Sequence, residues 1–297
     1  MENQQNYNKN QMILGYLFIT PTLLFLLLFS YYPAFSAIAT SFTEWDGFND
    51  KVFIGLGNYI EMFKDPIFGI AMINISKWSV GLILINLIAP LIGAELIFNL
   101  HSKRAQYWYR VLLVLPMVVP VVVIIRIWVF IYNPEIGLLN TLLESLNCEY
   151  LIHNWLGDKN FVIPSLIFVG FPWISGLYLL IYYAGLQNIS IDIIESARLE
   201  GCTGFKRFRM LDLPLIRPQV ELILILSIIG NLQNITLPLL MTKGGPGYAS
   251  YVPSLYMYFQ SFELSNFGYA TAIATFMFLI ILILTIISRI ISKKISV

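Results

Sequence analysis

The chain has 297 residues, of which 58% are hydrophobic and 12% charged, and its mean hydropathy is +0.74. A soluble globular domain carries about 45–50% apolar and about 25% charged residues, so this composition indicates an integral membrane protein and excludes a sizeable soluble domain. The formal net charge of +1 gives no reason to expect a nucleic acid as a partner.

Six apolar segments follow one another along the chain, and each is about as long as a membrane-spanning helix needs to be. They cover residues 12–39, 78–98, 111–132, 162–186, 220–241 and 269–291. The first is too long for a signal peptide and is predicted to be retained. Prolines inside the segments are tolerated in membrane bundles and favour kinks. The predicted fold is therefore all-α, a polytopic membrane protein with six transmembrane helices.

Lysine and arginine are unevenly divided between the connecting loops. One predicted side of the membrane holds most of them, in the two ends of the chain and in the loops around Lys103 and Lys206. The opposite loops hold few, namely Lys51, Lys64, Lys159 and Lys243. Because positive charge accumulates on the cytoplasmic side, both termini are predicted to be cytoplasmic. Cys148 and Cys202 then lie on opposite sides and cannot pair within one chain.

The loop from Glu195 to Pro218, called the polar loop below, concentrates charge in an otherwise apolar chain. Its first part, with residues 191–208, can form an amphipathic helix, and Gly201 and Gly204 are expected to interrupt that helix. Its charged residues are Glu195, Arg198, Glu200, Lys206, Arg207, Arg209, Asp212 and Arg217. Such a loop is expected to present a surface to a soluble partner.

The polar loop resembles the Glu-Ala-Ala coupling loop in the permease subunits of ATP-binding-cassette (ABC) importers. In that pattern a glycine follows the Glu-Ala-Ala after three residues, and a Leu-Pro follows about twelve residues later. The residues in matching places are Glu195, Ala197, Glu200, Gly201, Phe208, Leu213 and Pro214. Ser196, Glu200 and Cys202 are mild departures from it. The resemblance implies a cytoplasmic coupling helix that docks into an ATPase subunit, within a coupling loop of residues 188–218. We expect Gly201 to lie in a close-packed bend of that helix.

A second group of elements is similar to permeases of sugar importers of the maltose and glycerol-phosphate type. It comprises GLLN at 137–140, TKGGPG at 242–247 and FGYATAIA at 267–274. With TKGGPG as the anchor, Asn231 and Asn234 match positions that face the translocation path in the family. Their spacing also predicts that they share one helix face. Hydrogen bonding between helices is the alternative role for these amides.

The fourth apolar segment contains GFPWISG at residues 170–176. There the Trp173 ring could stack on the apolar face of a sugar, and the Ser175 hydroxyl could bind one of its hydroxyl groups. Interfacial anchoring of the tryptophan beside a kink at Pro172 is the alternative. Glu95, close to the end of the second segment, is expected to be interfacial or paired.

The resemblance implies an assembly rather than an enzyme. A single transmembrane domain of residues 1–297 would pair with a second permease subunit in a bacterial plasma membrane, in contact with lipid. Two ATPase subunits and an extracytoplasmic solute-binding protein would complete the complex, with ATP and magnesium on the ATPases. No cofactor is expected on this chain, because it has no phosphate-binding loop and no catalytic or metal-ligand cluster.

The residues alone leave other function classes open. An ion-coupled secondary transporter would need buried ionisable side chains, and the apolar segments are poor in them. An ABC permease for a solute other than a sugar fits the polar loop equally well. A membrane-embedded enzyme would need an acid–base or metal cluster, which the sequence does not offer.

Overall fold

The computed structural model describes residues 2–295, and describes side chains for residue 12 and residues 14–292. The helices α1 to α16 span Glu2–Leu26, Tyr32–Thr40, Gly57–Lys64, Pro66–Phe98, Lys103–Val114, Val121–Ile131, Leu138–Ser145, Val162–Phe168, Gly176–Gln187, Ile191–Leu199, Gly204–Arg207, Leu213–Leu215, Arg217–Leu232, Thr236–Met241, Pro253–Phe262 and Phe267–Ile295. Shorter helical turns and two strands, β1 and β2, make up the other regular structure of the described residues: Leu27–Tyr31 and Phe208–Asp212 (π), Leu115–Val118 and Glu149–Leu151 (3-10), Thr43–Glu44 (β1) and Val52–Phe53 (β2). The prediction of an all-α fold is confirmed.

One compact unit comprises the chain up to Lys64 together with Met257–Phe276. In it β1 and β2 form an antiparallel hairpin, and Asp46 shapes the turn between them. Its Oδ1 accepts the backbone N–H groups of Asn49 at 2.8 Å and Phe48 at 3.0 Å. These hydrogen bonds hold the pKa of the Asp46 carboxyl below its ordinary value. The register pairs Thr43 with Phe53 and Glu44 with Val52.

The other compact unit comprises Asp65–Tyr256 and the chain from Met277 onwards. Helix α4 is central to it and packs along both α9 and α13. A buried cluster lies where these helices meet, formed by Ala94, Ile97, Leu179, Tyr182, Tyr183, Leu186, Ile216 and Ile223. The helices that flank the polar loop are therefore joined to α4 by an apolar core.

Helix α4 begins at Pro66, twelve residues before the predicted start of the second segment. Asp65 caps it, because its side chain accepts the N–H of Ile67 at 2.8 Å, and Pro66 occupies the first turn, where no N–H partner is needed. The polar residues of this extra length are part of the helix. Asn74, for example, donates from Nδ2 to the carbonyl oxygens of Tyr248 and Tyr251, each at 2.9 Å.

By length and composition, three helices in the described residues can each cross a membrane: Leu14–Thr40, Pro66–Phe98 and Phe267–Ser292. Three further pairs of helices pass the same criteria together but are bent: Lys103–Val118 with Val121–Ile131 by 90°, Gly176–Gln187 with Ile191–Leu199 by 71°, and Gly204–Leu215 with Arg217–Leu232 by 70°. The described residues thus hold up to six spans if each bent pair is one span. The six predicted spans agree with that upper number.

The predictions of continuous third, fourth and fifth spans are wrong in detail. The third bends by 90° between Val118 and Val121. The fourth is broken between α8 and α9, where Gly170 and Trp173 have φ values of +88° and +59° that no right-handed helix can include. The fifth is broken between α13, which ends at Leu232, and α14, which begins at Thr236. A single transmembrane domain over residues 1–297 stays a prediction.

Candidate functional site

The polar loop begins inside a short, well-defined helix. Helix α10 starts after Ser190, whose Oγ accepts the N–H of Asp192 at 3.3 Å. The carboxylate of Asp192, in the first turn, also interacts favourably with the positive end of the helix dipole. The predicted coupling helix is therefore present over Ile191–Leu199, which is shorter than the 191–208 range that the periodicity allowed.

Gly201 ends α10 in the way that glycine commonly ends helices. Its N–H donates to the carbonyl of Arg198 at 3.0 Å, and the N–H of Cys202 donates to that of Ala197 at 2.8 Å. This pair of hydrogen bonds is a Schellman motif, which places the glycine in the left-handed region, here at φ +70°. The prediction that Gly201 interrupts the helix is confirmed.

The reason expected for that glycine was partly wrong. A Cβ added at Gly201 would meet no described atom within 4 Å, so no close packing inside this chain excludes a side chain. The positive φ is what requires glycine at this position.

The polar loop exposes large apolar side chains between its charges. Leu199 is 90% exposed, Phe205 75% and Met210 65%. Exposed apolar patches rimmed by polar residues typically mark interaction surfaces. Of the residues predicted to couple, Glu195, Glu200, Gly201 and Pro214 are exposed, whereas Ala197, Phe208 and Leu213 are partly buried.

Two cavities flank the polar loop. One of about 800 Å³ lies beside α10, and its mixed lining includes Lys103 and Glu195 as well as Ile191 and Ile194. An apolar one of about 310 Å³ is formed by Ile92, Glu95, Leu96, Asn99, Gly204, Phe205 and Phe208. The loop is therefore bordered by concave surface on two sides.

A buried ionic cluster, which the sequence did not predict, holds the polar loop against α4. Nε of Arg207 donates to Oδ2 of Asp212 at 2.9 Å, and Nη2 donates to Oδ1 of Asn99 at 2.6 Å. Nη2 also lies 3.5 Å from Oε1 of Glu95, so the expectation that Glu95 is paired is confirmed. Contacts across more than a hundred residues leave no local signal in a sequence. The separated charges Glu95, Arg207 and Asp212 were the available hint.

Trp173 in the break between α8 and α9 is packed among aromatic rings. Its Nε1 donates to the carbonyl of Ile167 at 3.1 Å, and its ring meets those of Phe168 and Phe171 edge to face, with centroids 5.1 and 4.8 Å away. Ser175 occupies the N-cap position of α9, but its side chain does not bind the helix amides. The ring of Trp173 is thus packed against other aromatic rings. The hydroxyl of Ser175 does not cap α9.

Asn231 and Asn234 do not share a helix face, and that prediction is wrong because α13 ends at Leu232 between them. Asn234 lies in the break, where its Oδ1 accepts the N–H groups of Thr236 at 3.0 Å and Leu237 at 3.4 Å. Asn231 is buried in the last turn of α13, and its Nδ2 has no hydrogen-bond partner among the described residues. An unpaired buried amide is costly, which makes Asn231 the stronger candidate for binding a polar solute.

The TKGGPG segment forms an ordered turn beyond this break. Thr242 and Ser250 share a hydrogen bond of 2.7 Å between their hydroxyl oxygens, and Ser250 also donates to the carbonyl of Gly245 at 2.7 Å. A Cβ at Gly244 would collide with the ring of Tyr251. The hydroxyl of Ser254 then binds the carbonyl of Asn234 at 3.0 Å, which connects the loop to the break. No described hydrogen bond or ring contact joins Trp173 or Ser175 to the two asparagines.

Comparisons with known proteins agree on one family. A family model described as the inner membrane component of binding-protein-dependent transport systems matches residues 86–297. The chain is 36% identical to the probable ABC transporter permease protein YurN of Bacillus subtilis, over 94% of this chain and 95% of that protein. It is 29% identical to the probable starch degradation products transport system permease protein AmyD of Thermoanaerobacterium thermosulfurigenes, over 94% of both.

A solved structure has the same fold. It is that of a bacterial alginate ABC transporter in complex with an alginate pentasaccharide-bound periplasmic protein, and one of its chains superposes with a TM-score of 0.85. The alignment covers 98% of this chain and 97% of that chain at 20% identity, which supports the fold alone. From the family model and the relatives, the chain belongs to the inner membrane components of binding-protein-dependent transport systems.

Proposed function

We propose that this chain is one of two permease subunits of an ABC importer that takes up a saccharide. ATPase subunits bind the polar loop on the cytoplasmic side, hydrolyse ATP with magnesium, and so drive the permease between two conformations. A solute-binding protein delivers the saccharide to the opposite face. The observation that carries the proposal is the exposed polar loop, which ends α10 in a fixed turn and displays apolar side chains among charges.

The polar loop has the chemistry of a protein-binding surface. Leu199 and Phe205 offer apolar anchors, and Glu195, Glu200 and Lys206 around them are exposed and charged. Interfaces gain most of their binding free energy from a few such anchors, while the charged rim contributes orientation and specificity. Because lysine and arginine accumulate on this side, the partner is cytoplasmic, as an ATPase must be.

The saccharide is proposed from a relative and from residue chemistry together. The name of AmyD assigns it to the transport of starch degradation products, and the TKGGPG element is similar to that of sugar-importer permeases. Asn231 offers an amide without a partner among the described residues, and Ser175 offers a hydroxyl group. Neither carries charge, which suits the neutral hydroxyl groups of a saccharide better than an anionic solute.

The proposal is tested with the complex purified through a tag on this chain and reconstituted into proteoliposomes. Its binding protein is supplied outside and ATP is sealed inside, and uptake of labelled maltotriose, glucose and glycerol 3-phosphate is measured. We expect a saccharide to accumulate only with internal ATP, and a protonophore to leave that uptake unchanged. Uptake that needs no ATP and stops with the protonophore would instead show an ion-coupled transporter. ATP-driven uptake of glycerol 3-phosphate alone would contradict the assignment of a neutral saccharide.

A further inference from the structure

Arg207 is a cation of the polar loop whose charge is turned inwards to two described carboxylates. It is buried, whereas Lys206 and Arg209 beside it are exposed. Its guanidinium binds Asp212 within the loop, and it binds Asn99 and Glu95 at the end of α4. A buried charge of this kind remains only where partners compensate for its lost hydration.

The π-helical turn Phe208–Asp212 makes the internal half of this arrangement possible. In an α-helix, residues five apart lie about 140° from each other around the axis, so Arg207 and Asp212 would point in different directions. In a π-turn the N–H of residue i+5 donates to the carbonyl of residue i. Here the N–H of Leu213 donates to the carbonyl of Phe208. Residues five apart then come onto the same side of the helix, and the ion pair can close.

On α4, a second set of hydrogen bonds orients the partners of Arg207. Nδ2 of Asn99 donates to Oε1 of Glu95 at 2.7 Å and to the backbone carbonyl of Glu95 at 2.8 Å. The Asn99 amide is therefore oriented with its oxygen towards Arg207, to which it binds at 2.6 Å. The partners of Arg207 on α4 are therefore also held by hydrogen bonds to each other.

We infer that Arg207 is a positioning residue that locks the polar loop to the end of α4, so that the loop and α4 move as one body. This inference rests on the proposed function, in which an ATPase displaces the polar loop. Helix α4 packs along α9 and α13, the helices that carry Ser175 at the start of one and Asn231 at the end of the other. A displacement passed to α4 therefore reaches the proposed solute-binding residues.

The test removes the link and leaves the ion pair of the loop intact. Arg207→Met would leave a buried carboxylate, Asp212, and a partly buried one, Glu95, without a cation, so Arg207 itself is kept. The double variant Glu95→Met and Asn99→Ala removes the partners on α4 and leaves Arg207 and Asp212 as a balanced pair. Arg104→Met is the matched control, because it removes an exposed charge that lies outside the polar loop.

The readout is a distance between two spin labels in the purified complex, with Cys148 and Cys202 replaced by serine. Leu96→Cys places a label on the end of α4 and Ser196→Cys places one on α10, and both positions are exposed. Pulsed electron paramagnetic resonance is recorded without nucleotide and with ATP and vanadate. We expect the wild-type and Arg104→Met distances to stay the same in both states. In the double variant we expect the distance to shift between the states and its distribution to broaden.

A double variant with the same narrow, unchanged distance would overturn the inference, and so would a wild-type distance that shifts with ATP and vanadate. Failure of the proposed function is a different result: the ATPase subunit would be missing from the wild-type complex. In that preparation the distance distributions recorded without nucleotide still test the inference. A double variant with a distribution as narrow as that of the wild type would overturn it there as well.

Discussion

Gly201 shows at the scale of one residue why the polar loop needs a glycine. Asparagine also adopts the left-handed conformation, whereas a β-branched residue at positive φ is a true outlier. We therefore expect Gly201→Val to strain the end of α10 and to reduce the amount of ATPase that co-purifies with the complex. Gly201→Asn is the matched control and should retain most of it. Equal retention of ATPase by both variants would show that the turn does not position the docking surface.

Substitutions of Asn231 and Asn234 are expected to have different effects, one on solute recognition and the other on stability. Asn231→Ala removes an amide with no described partner, and we expect it to weaken solute recognition. Losing one hydrogen bond to a desolvated hydroxyl costs about 1–3 kcal/mol, or roughly 5- to 150-fold in affinity. The melting temperature of the complex should change little. Uptake kinetics and thermal unfolding on the same preparation measure both quantities.

Asn234→Ala is the counterpart, because Oδ1 of Asn234 accepts two backbone N–H groups at the start of α14. Its loss should lower the stability of the complex by about 1 kcal/mol and leave the dependence of uptake on solute concentration unchanged. The reverse assignment, with Asn234 affecting recognition and Asn231 affecting stability, would contradict this account.

These residues also show how far the sequence could be interpreted. Gly201 was predictable because glycine after an amphipathic stretch is a local signal for a helix end. The break before Asn234 was not, because the residues at the break, from Gln233 to Ile235, include neither proline nor glycine. Arg207 could not be assigned to Glu95 and Asn99 at all, since only the folded chain brings them together.

At the scale of whole elements, the start of α4 offers a direct test of helix packing. Asn74 satisfies two carbonyl groups of the loop that carries Tyr248 and Tyr251. We expect Asn74→Leu to leave both carbonyls without that donor and to destabilise the complex by about 1–3 kcal/mol. Ser76→Ala is the control, because its exposed hydroxyl binds only the carbonyl of Met72 in its own helix. Thermal unfolding measures the difference, and equal melting temperatures would show that the Asn74 bonds contribute nothing.

The apolar runs predicted that helices exist, but not where each begins or ends. Hydropathy missed the first twelve residues of α4, because the polar side chains of Asn74 and Lys77 are as typical of a loop as of a helix. Pro172 in the fourth segment predicted a kink. It did not predict a full break in which Trp173 has a positive φ. The hairpin around Asp46 was not predictable, since strands of two residues are too short for a period to be recognised.

At the scale of the whole molecule, the distribution of lysine and arginine predicts the orientation in the membrane. With Cys148 and Cys202 replaced by serine, new cysteines beside Lys159 or Lys243 should react with an impermeant thiol reagent in intact cells. Cysteines beside Lys103 or Lys206 should react only after the membrane is opened. The opposite pattern would place the polar loop outside the cell, where it could not meet an ATPase.

Composition and one local motif were enough to predict the class of the molecule. An apolar fraction of 58% leaves room for little except membrane helices, and the polar loop from Glu195 to Pro218 carries the family pattern over about twenty consecutive residues. The proposed solute-binding residues were harder to predict, because the surroundings of Asn231 and Ser175 depend on helix breaks and neighbours that arise only when the helices pack.

Contact between the polar loop and an ATPase subunit is the central claim, and photo-crosslinking tests it most directly. A photoreactive amino acid replaces Leu199, the most exposed of the apolar residues on the loop, and the complex is irradiated in native membranes. A second variant carries the same group at Phe48, in the hairpin on the side predicted to be extracytoplasmic. We predict that the group at position 199 captures an ATPase subunit, identified by mass spectrometry, and that the group at position 48 does not. Capture of only lipid at position 199, or of the ATPase at both positions, would contradict the account.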